Sequence, residues 1–146
     1  MKLKIIFLGA FLFSTGIIFS QNKKGPISII SSSAAIKKYH GLDELKRMQK
    51  GELLALYDER LQVLVRTLPY IALATKPGMT VSDLAIPLNS ENKKAMEAQT
   101  EGTNAFLELT HDYQKKMMPY ADKDNLISAI IFYENTMKSL HEFNDL

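Results

Sequence analysis

The sequence contains no cysteine and no tryptophan among its 146 residues. The absence of cysteine excludes disulfide bonds, thiol nucleophiles, cysteine-ligated zinc and iron–sulfur clusters. With 7 glycines and 5 prolines, the chain is neither collagen-like nor of low complexity. Its length fits one domain, and the 46% hydrophobic fraction is sufficient for a packed core.

Sequence motifs of the common enzyme classes are also absent. The chain has no Gly-x-Ser-x-Gly elbow, no P-loop, no dinucleotide-binding glycine pattern and no His-Glu-x-x-His. The adjacent acids Asp58 and Glu59 would point about 100° apart on a helix, so they cannot act as a carboxylate pair on one substrate. No residue therefore argues for an enzyme, and no catalytic residue is predicted.

One Glu-x-x-His pattern, Glu108 to His111, has the spacing used by di-iron helical bundles. Such sites need a second copy of the pattern, but the residue three positions before His141 is Lys138. If Phe106 marks the buried side of the helix, Glu108 and His111 both face solvent. We therefore expect no metal site and no cofactor.

The first twenty residues have the pattern of a secretory signal peptide. Two lysines precede an uncharged apolar run over Ile5–Phe19, and Ser20 comes directly before a polar stretch. The run is shorter than a stable membrane span. A retained membrane anchor is the alternative, because Ile18 rather than a small residue stands at the third position before the expected cleavage site. We expect export to the periplasm, the cell surface or the medium, with no transmembrane span after cleavage. Removal of Lys2 and Lys4 would leave equal numbers of positive and negative side chains. A chain without excess positive charge gives no sign of nucleic-acid binding.

The rest of the chain predicts an all-α fold. Residues 21–33, with Gly25-Pro26 and three serines, suggest a flexible linker before a helical domain over 34–146. The domain is expected to be an antiparallel bundle of three long helices. A short fourth helix is predicted over Ala34–Met48, where Gly41 is a potential break.

The apolar spacing places the three long helices. The first begins near Lys50 and is kinked or ended by Pro69; the second is capped by Asn89 or Ser90 and the third by Asp122. The inner side of the second helix is predicted to be Ala95, Met96, Gln99, Thr103, Phe106, Leu109, Thr110, Tyr113 and Met117. That of the third helix is predicted to be Leu126, Ile127, Ile130, Tyr133, Met137 and Leu140. Because 129–133 is apolar on nearly every side, the third helix is expected to be the most enclosed of the helices.

The first long helix carries a second apolar stripe opposite its main one. Leu56, Val63 and Tyr70 follow one another at heptad spacing. Such a helix is either covered on both sides within its own fold or offers one side to another protein. We predict these three residues as partner-binding or dimer-forming, with cover by the Ala34–Met48 segment as the alternative.

These patterns favour an exported, non-enzymatic protein of the cell envelope that binds a protein partner or forms a homodimer. Its role would be that of an adaptor, an inhibitor or immunity-like binder, or a secretion-accessory subunit. The alternative is a periplasmic carrier that holds a small apolar ligand, such as a lipid or haem, between methionine- and phenylalanine-rich helices.

Overall fold

A computed structural model describes residues 27–142, without the side chain of Glu142. The regular secondary structure of this part of the chain is helical, and strand-type pairing is limited to one isolated β-bridge between Ser28 and Thr80. The sequence-based prediction of an all-α fold with three long helices is therefore confirmed. The predicted signal peptide and residues 21–26 lie outside the described part. The helices are α1 (Leu42–Arg47), α2 (Lys50–Thr67), α3 (Ser90–Met117) and α4 (Lys123–Glu142).

Local sequence explains where the long helices begin and end. The backbone N–H of Gln49 donates to Glu52 Oε2 at 2.7 Å before α2, and the N–H of Asn92 donates to Asn89 Oδ1 at 2.8 Å before α3. Helices α2 and α3 both continue into a 3₁₀ turn, Leu68–Tyr70 and Met118–Tyr120, that contains a proline. Proline lacks the N–H that a further α-helical turn requires, so both helices end as expected.

The main core lies where α4 runs along α2. Leu126, Ile127, Ile130 and Met137 of the predicted inner side are buried, and Tyr133 and Leu140 are half-buried. They pack against α1 and α2 in two clusters. One cluster contains Leu45 of α1 and Leu53 of α2, and the other contains Val63 and Leu64 of α2. The expectation that the third helix is the most enclosed is not met: Phe132 of α4 is 63% exposed, and the shorter α2 buries as many residues as α4 does. Only one side of α4 is covered by α1 and α2.

The N-terminal segment, residues 27–41, is an extended strap rather than a helix. The helix predicted over Ala34–Met48 is shortened to α1, and Gly41 is its N-cap in an extended conformation. The backbone of the strap bonds to side chains of the long helices: Arg60 donates to the Lys38 carbonyl at 2.6 Å, and the His40 N–H donates to Glu134 at 2.8 Å. These tertiary bonds replace the hydrogen bonds of a helix.

Residues 27–33 pack against the loop that follows α2, so the flexible linker predicted for 21–33 is wrong over this part. Ile29 donates its N–H to the Met79 carbonyl at 2.8 Å, and Gly78 donates to the Ile30 carbonyl at 2.9 Å. Ile30 is fully buried. Gly78 has a φ of 85°, a left-handed conformation that favours glycine in this tight turn.

Within residues 27–142 no helix combines the length and the apolar character needed to cross a bilayer.

Candidate protein-binding surface

Helix α3 packs on α2 along a narrow side and has a second apolar side that no part of residues 27–142 covers. Only Leu107 and Gln114 of its 28 residues are buried, and they lie one heptad apart. The uncovered side carries large apolar residues whose exposed fractions range from 47% to 72%, and we name it the α3 face: Phe106, Leu109, Tyr113 and Met117. Beyond the helix end, Tyr120 is 84% exposed.

The sequence-based assignment of this stripe to the inner side of the helix is wrong. That interpretation centred the buried side on Phe106, whereas the structure centres it on Leu107, one residue further and so rotated by about 100°. Periodicity establishes that a helix has an apolar side, but not whether the same chain covers it. Here the buried side is narrow and includes the polar Gln114.

No charged residue lies between the four members of the α3 face, and the exposed Lys116, seven residues after Leu109, borders it. Glu108 and Lys115 are exposed on the side of α3 that lies roughly 160° from the centre of the face, at the usual 100° per residue. Toward the N-terminus of α3 the same side continues with exposed residues that are small or polar: Ala95, Ala98, Gln99 and Gly102. The result is a strip along most of the helix, with its large apolar side chains at one end and a lysine at its edge.

The predicted partner-binding stripe on α2 is covered within the chain. Val63 is 4% exposed and packs with Leu64 and Met137, and Ile36 and Tyr39 of the N-terminal segment pack against the same cluster. This arrangement fits the alternative that the segment before α2 covers the stripe.

The other two members of that stripe are half-buried. Leu56 packs against the cluster that contains Leu45 and Leu53. Tyr70 packs against the cluster that contains Ile29 and Ile30. None of the three predicted residues therefore presents a free apolar side chain comparable with those of the α3 face.

A buried charge network holds the N-terminal segment over α2 and α4. Arg60 and Glu134 are each 1% exposed, and Arg60 donates from Nε and Nη2 to Glu134 Oε1 at 3.0 and 2.8 Å. His40 Nδ1 lies 3.3 Å from the same oxygen. Burial, and then the negative charge of Glu134, raise the pKa of Tyr39 above its usual value. The sequence analysis did not predict this network. The signal that could have revealed it is the presence of two charged residues, Arg60 and Glu134, within the apolar sides of their helices.

A shallow cleft of about 380 Å³ lies between α2 and α3, next to the ends of both helices. Leu54 and Met118 line it, and His111 Nδ1 lies 3.3 Å from Asp58 Oδ2 at its edge. The buried Gln114 also lines it, and its Oε1 has no hydrogen-bond partner. The cleft thus offers a small ligand apolar surface next to a polar residue whose acceptor is buried.

Glu108 and His111, the two residues of the Glu-x-x-His pattern, lie at the surface of α3. The His111 side chain is 55% exposed, and Glu108 is also exposed. Across residues 27–142, no three or more histidine, aspartate or glutamate side chains come together in a way that could hold a metal ion.

Compared with family models, curated proteins and solved structures, the chain matches none of them.

Proposed function

We propose that this chain is an exported, non-enzymatic protein of the cell envelope that binds a protein partner through the α3 face. The observation that carries the proposal is the set of four large apolar side chains on one side of α3, each about half exposed or more. Exposed apolar residues that occur singly are normal, whereas a contiguous patch marks an interaction surface.

The chemistry of the face favours a protein as the binding partner. Aromatic residues and methionine are enriched at the centres of protein interfaces, and charged residues are depleted there. Phe106, Leu109, Tyr113 and Met117 follow the spacing by which one helix lies along another. They stand on a regular helix, so little conformational entropy is lost when a partner helix packs on them.

Export rests on the amino-acid sequence of residues 1–20, with its basic start and short apolar run. The mature protein is expected to begin at or near Gln21. Intact-mass measurement of the protein from its own cells checks this, and full-length chain in the membrane fraction would contradict it.

Site-specific photo-crosslinking in the source cells tests the proposed surface. A photo-reactive phenylalanine analogue is placed at Leu109 or Tyr113, with the same analogue at the exposed Glu108 as the matched control. We expect adducts with one discrete protein from positions 109 and 113, and a much lower yield from position 108. Equal yields from the three positions, or no protein adduct, would contradict the proposal.

A second candidate function, a carrier of a small apolar ligand, is favoured by one specific observation. The Gln114 side chain lines the apolar α2–α3 cleft, and its Oε1 is buried without a hydrogen-bond partner. A small shift of this side chain would bring the acceptor to a ligand hydroxyl or amine in the cleft. Mass spectrometry of organic extracts from the purified protein tests this. Carriage predicts a stoichiometric compound in the wild type that is lost in Gln114→Leu, while extracts free of such a compound would contradict it.

A further inference from the structure

The uncovered side of α3 has two unlike halves. Its N-terminal half exposes the small residues Ala95, Ala98 and Gly102 around the polar Gln99, whereas its C-terminal half exposes Leu109, Tyr113 and Met117, with Phe106 between the halves. If two such helices run antiparallel, the large half of each lies on the small half of the other. Shape complementarity of this kind is a property of well-packed interfaces.

Gly102 adds a second, independent observation. Glycine inside a helix lowers its stability relative to alanine. Apart from its chain neighbours and the backbone of its own helix, no atom of the described residues lies within 4 Å of the position that a Cβ would take at Gly102. Packing within the described chain therefore gives no reason for glycine here. Close approach of another helix gives a reason, since the missing side chain at Gly102 leaves room for a large side chain of the opposite helix.

We propose that the protein bound by the α3 face is a second copy of this chain, with the two α3 helices antiparallel and crossing near Phe106. This inference rests on the proposed function, in which the α3 face binds protein. In this arrangement Leu109 of each copy lies over Gly102 of the other, and Tyr113 lies opposite Gln99. The contact is isologous, so a twofold axis closes the assembly as a dimer.

The exposed area is compatible with such a dimer. Phe106, Leu109, Tyr113, Met117 and Tyr120 are 47% to 84% exposed, and side chains of this size bury about 150–250 Å² each when fully enclosed. The five residues thus offer roughly 500 Å² per copy, so two copies bury about 1,000 Å², the lower range of specific interfaces. A dimer that dissociates at micromolar concentration is expected.

Sedimentation equilibrium of the mature chain tests self-association. We expect a concentration-dependent species of twice the monomer mass, which Leu109→Glu abolishes. The matched control Leu73→Glu leaves it intact, because Leu73 is 54% exposed and lies outside α3, in the turn that follows Leu68–Tyr70. Gly102→Leu provides a variant that keeps the fold: it is expected to raise the melting temperature of the monomer and to remove the dimer. A Gly102→Leu protein that still forms the dimer would overturn the proposed packing.

Engineered cysteines test the direction of the helices, since the chain has no cysteine of its own. The antiparallel arrangement predicts a disulfide between Gln99→Cys in one copy and Tyr113→Cys in the other, and little disulfide formation within either variant alone. Self-pairing of each variant, as in a parallel dimer, would overturn it.

The in-cell crosslinks separate this inference from the proposed function. Adducts of twice the chain mass from position 109 support the second copy as the partner. Adducts with a different protein, together with a strictly monomeric purified chain, would overturn the dimer and leave the proposed function standing. The absence of any adduct would count against both.

Discussion

Glu134 of α4 and Arg60 of α2 form a buried ion pair, with Arg60 Nη2 2.8 Å from Glu134 Oε1 and both side chains almost fully enclosed. The second carboxylate oxygen accepts from the backbone of His40 at 2.8 Å. One carboxylate thus connects two long helices to the N-terminal segment. This segment covers Val63, and for this reason α2 has no free apolar side. The α3 face has no such cover among the described residues.

Neutralising Glu134 is expected to be strongly destabilising. Glu134→Gln leaves the buried Arg60 with only the partly exposed Glu59, whose Oε2 lies 3.0 Å from Arg60 Nη1, as a counter-charge. Breaking a buried ion pair typically costs about 3–5 kcal/mol of unfolding free energy. Urea unfolding followed by circular dichroism measures it. Glu97→Gln on the exposed part of α3 is the control and should change stability little. A loss as small as that of the control would contradict the network.

Val63→Glu is expected to unfold or strongly destabilise the protein rather than to affect association alone. Val63 is 4% exposed, and an unpaired charge cannot be accommodated in an apolar cluster. Melting temperature, compared with that of Leu109→Glu, measures the difference. If Val63→Glu retained the wild-type melting temperature and lost only self-association, the α2 stripe would be the interface instead of the α3 face.

Gln114→Met is expected to stabilise the protein. The wild-type side chain keeps Oε1 buried without a partner, and removing an unsatisfied buried acceptor recovers about 1 kcal/mol of unfolding free energy. Methionine has a similar length and packs on apolar neighbours. The same change at the exposed Gln99 is the matched control and should have little effect on stability. Lower stability of Gln114→Met would show that the amide makes a favourable bond.

Alkaline pH is expected to destabilise the fold partly through Tyr133. Burial, followed by the hydrogen bond with Tyr57, raises the pKa of Tyr133 from 10.0 to about 12. Because the folded state favours the neutral phenol, this contribution is fully present below pH 10 and is lost as the pH rises to about 12.

Tyr133→Phe cannot ionise, so its urea midpoint should fall less steeply than that of the wild type across this pH range. Tyr113→Phe, at a position that is 58% exposed, is the control and should follow the wild-type profile. Parallel pH profiles for the wild type and Tyr133→Phe would contradict the assignment.

Sequence patterns predicted the positions of the helices better than they predicted which parts of the chain cover each helix side. Pro69, Asn89 and Pro119 act through local backbone geometry, so the ends of α2 and α3 followed directly from the sequence. The non-helical conformation of residues 34–41 did not follow from the sequence, because it depends on hydrogen bonds to Arg60 and Glu134, which are distant in sequence. The α3 face was recognised as an apolar stripe but assigned to the wrong side, since amphipathic spacing is the same for a core and for an interface.

The central claim, that the α3 face is buried by a protein partner, is tested most directly by hydroxyl-radical footprinting of the associated protein. Leu109 and Leu73 have the same side chain and are 72% and 54% exposed, so their labelling rates can be compared within one sample. The account predicts that association protects Leu109, and with it Phe106, Tyr113 and Met117, while Leu73 is labelled as in the dissociated chain. Unchanged labelling of Leu109 in the associated state would contradict it.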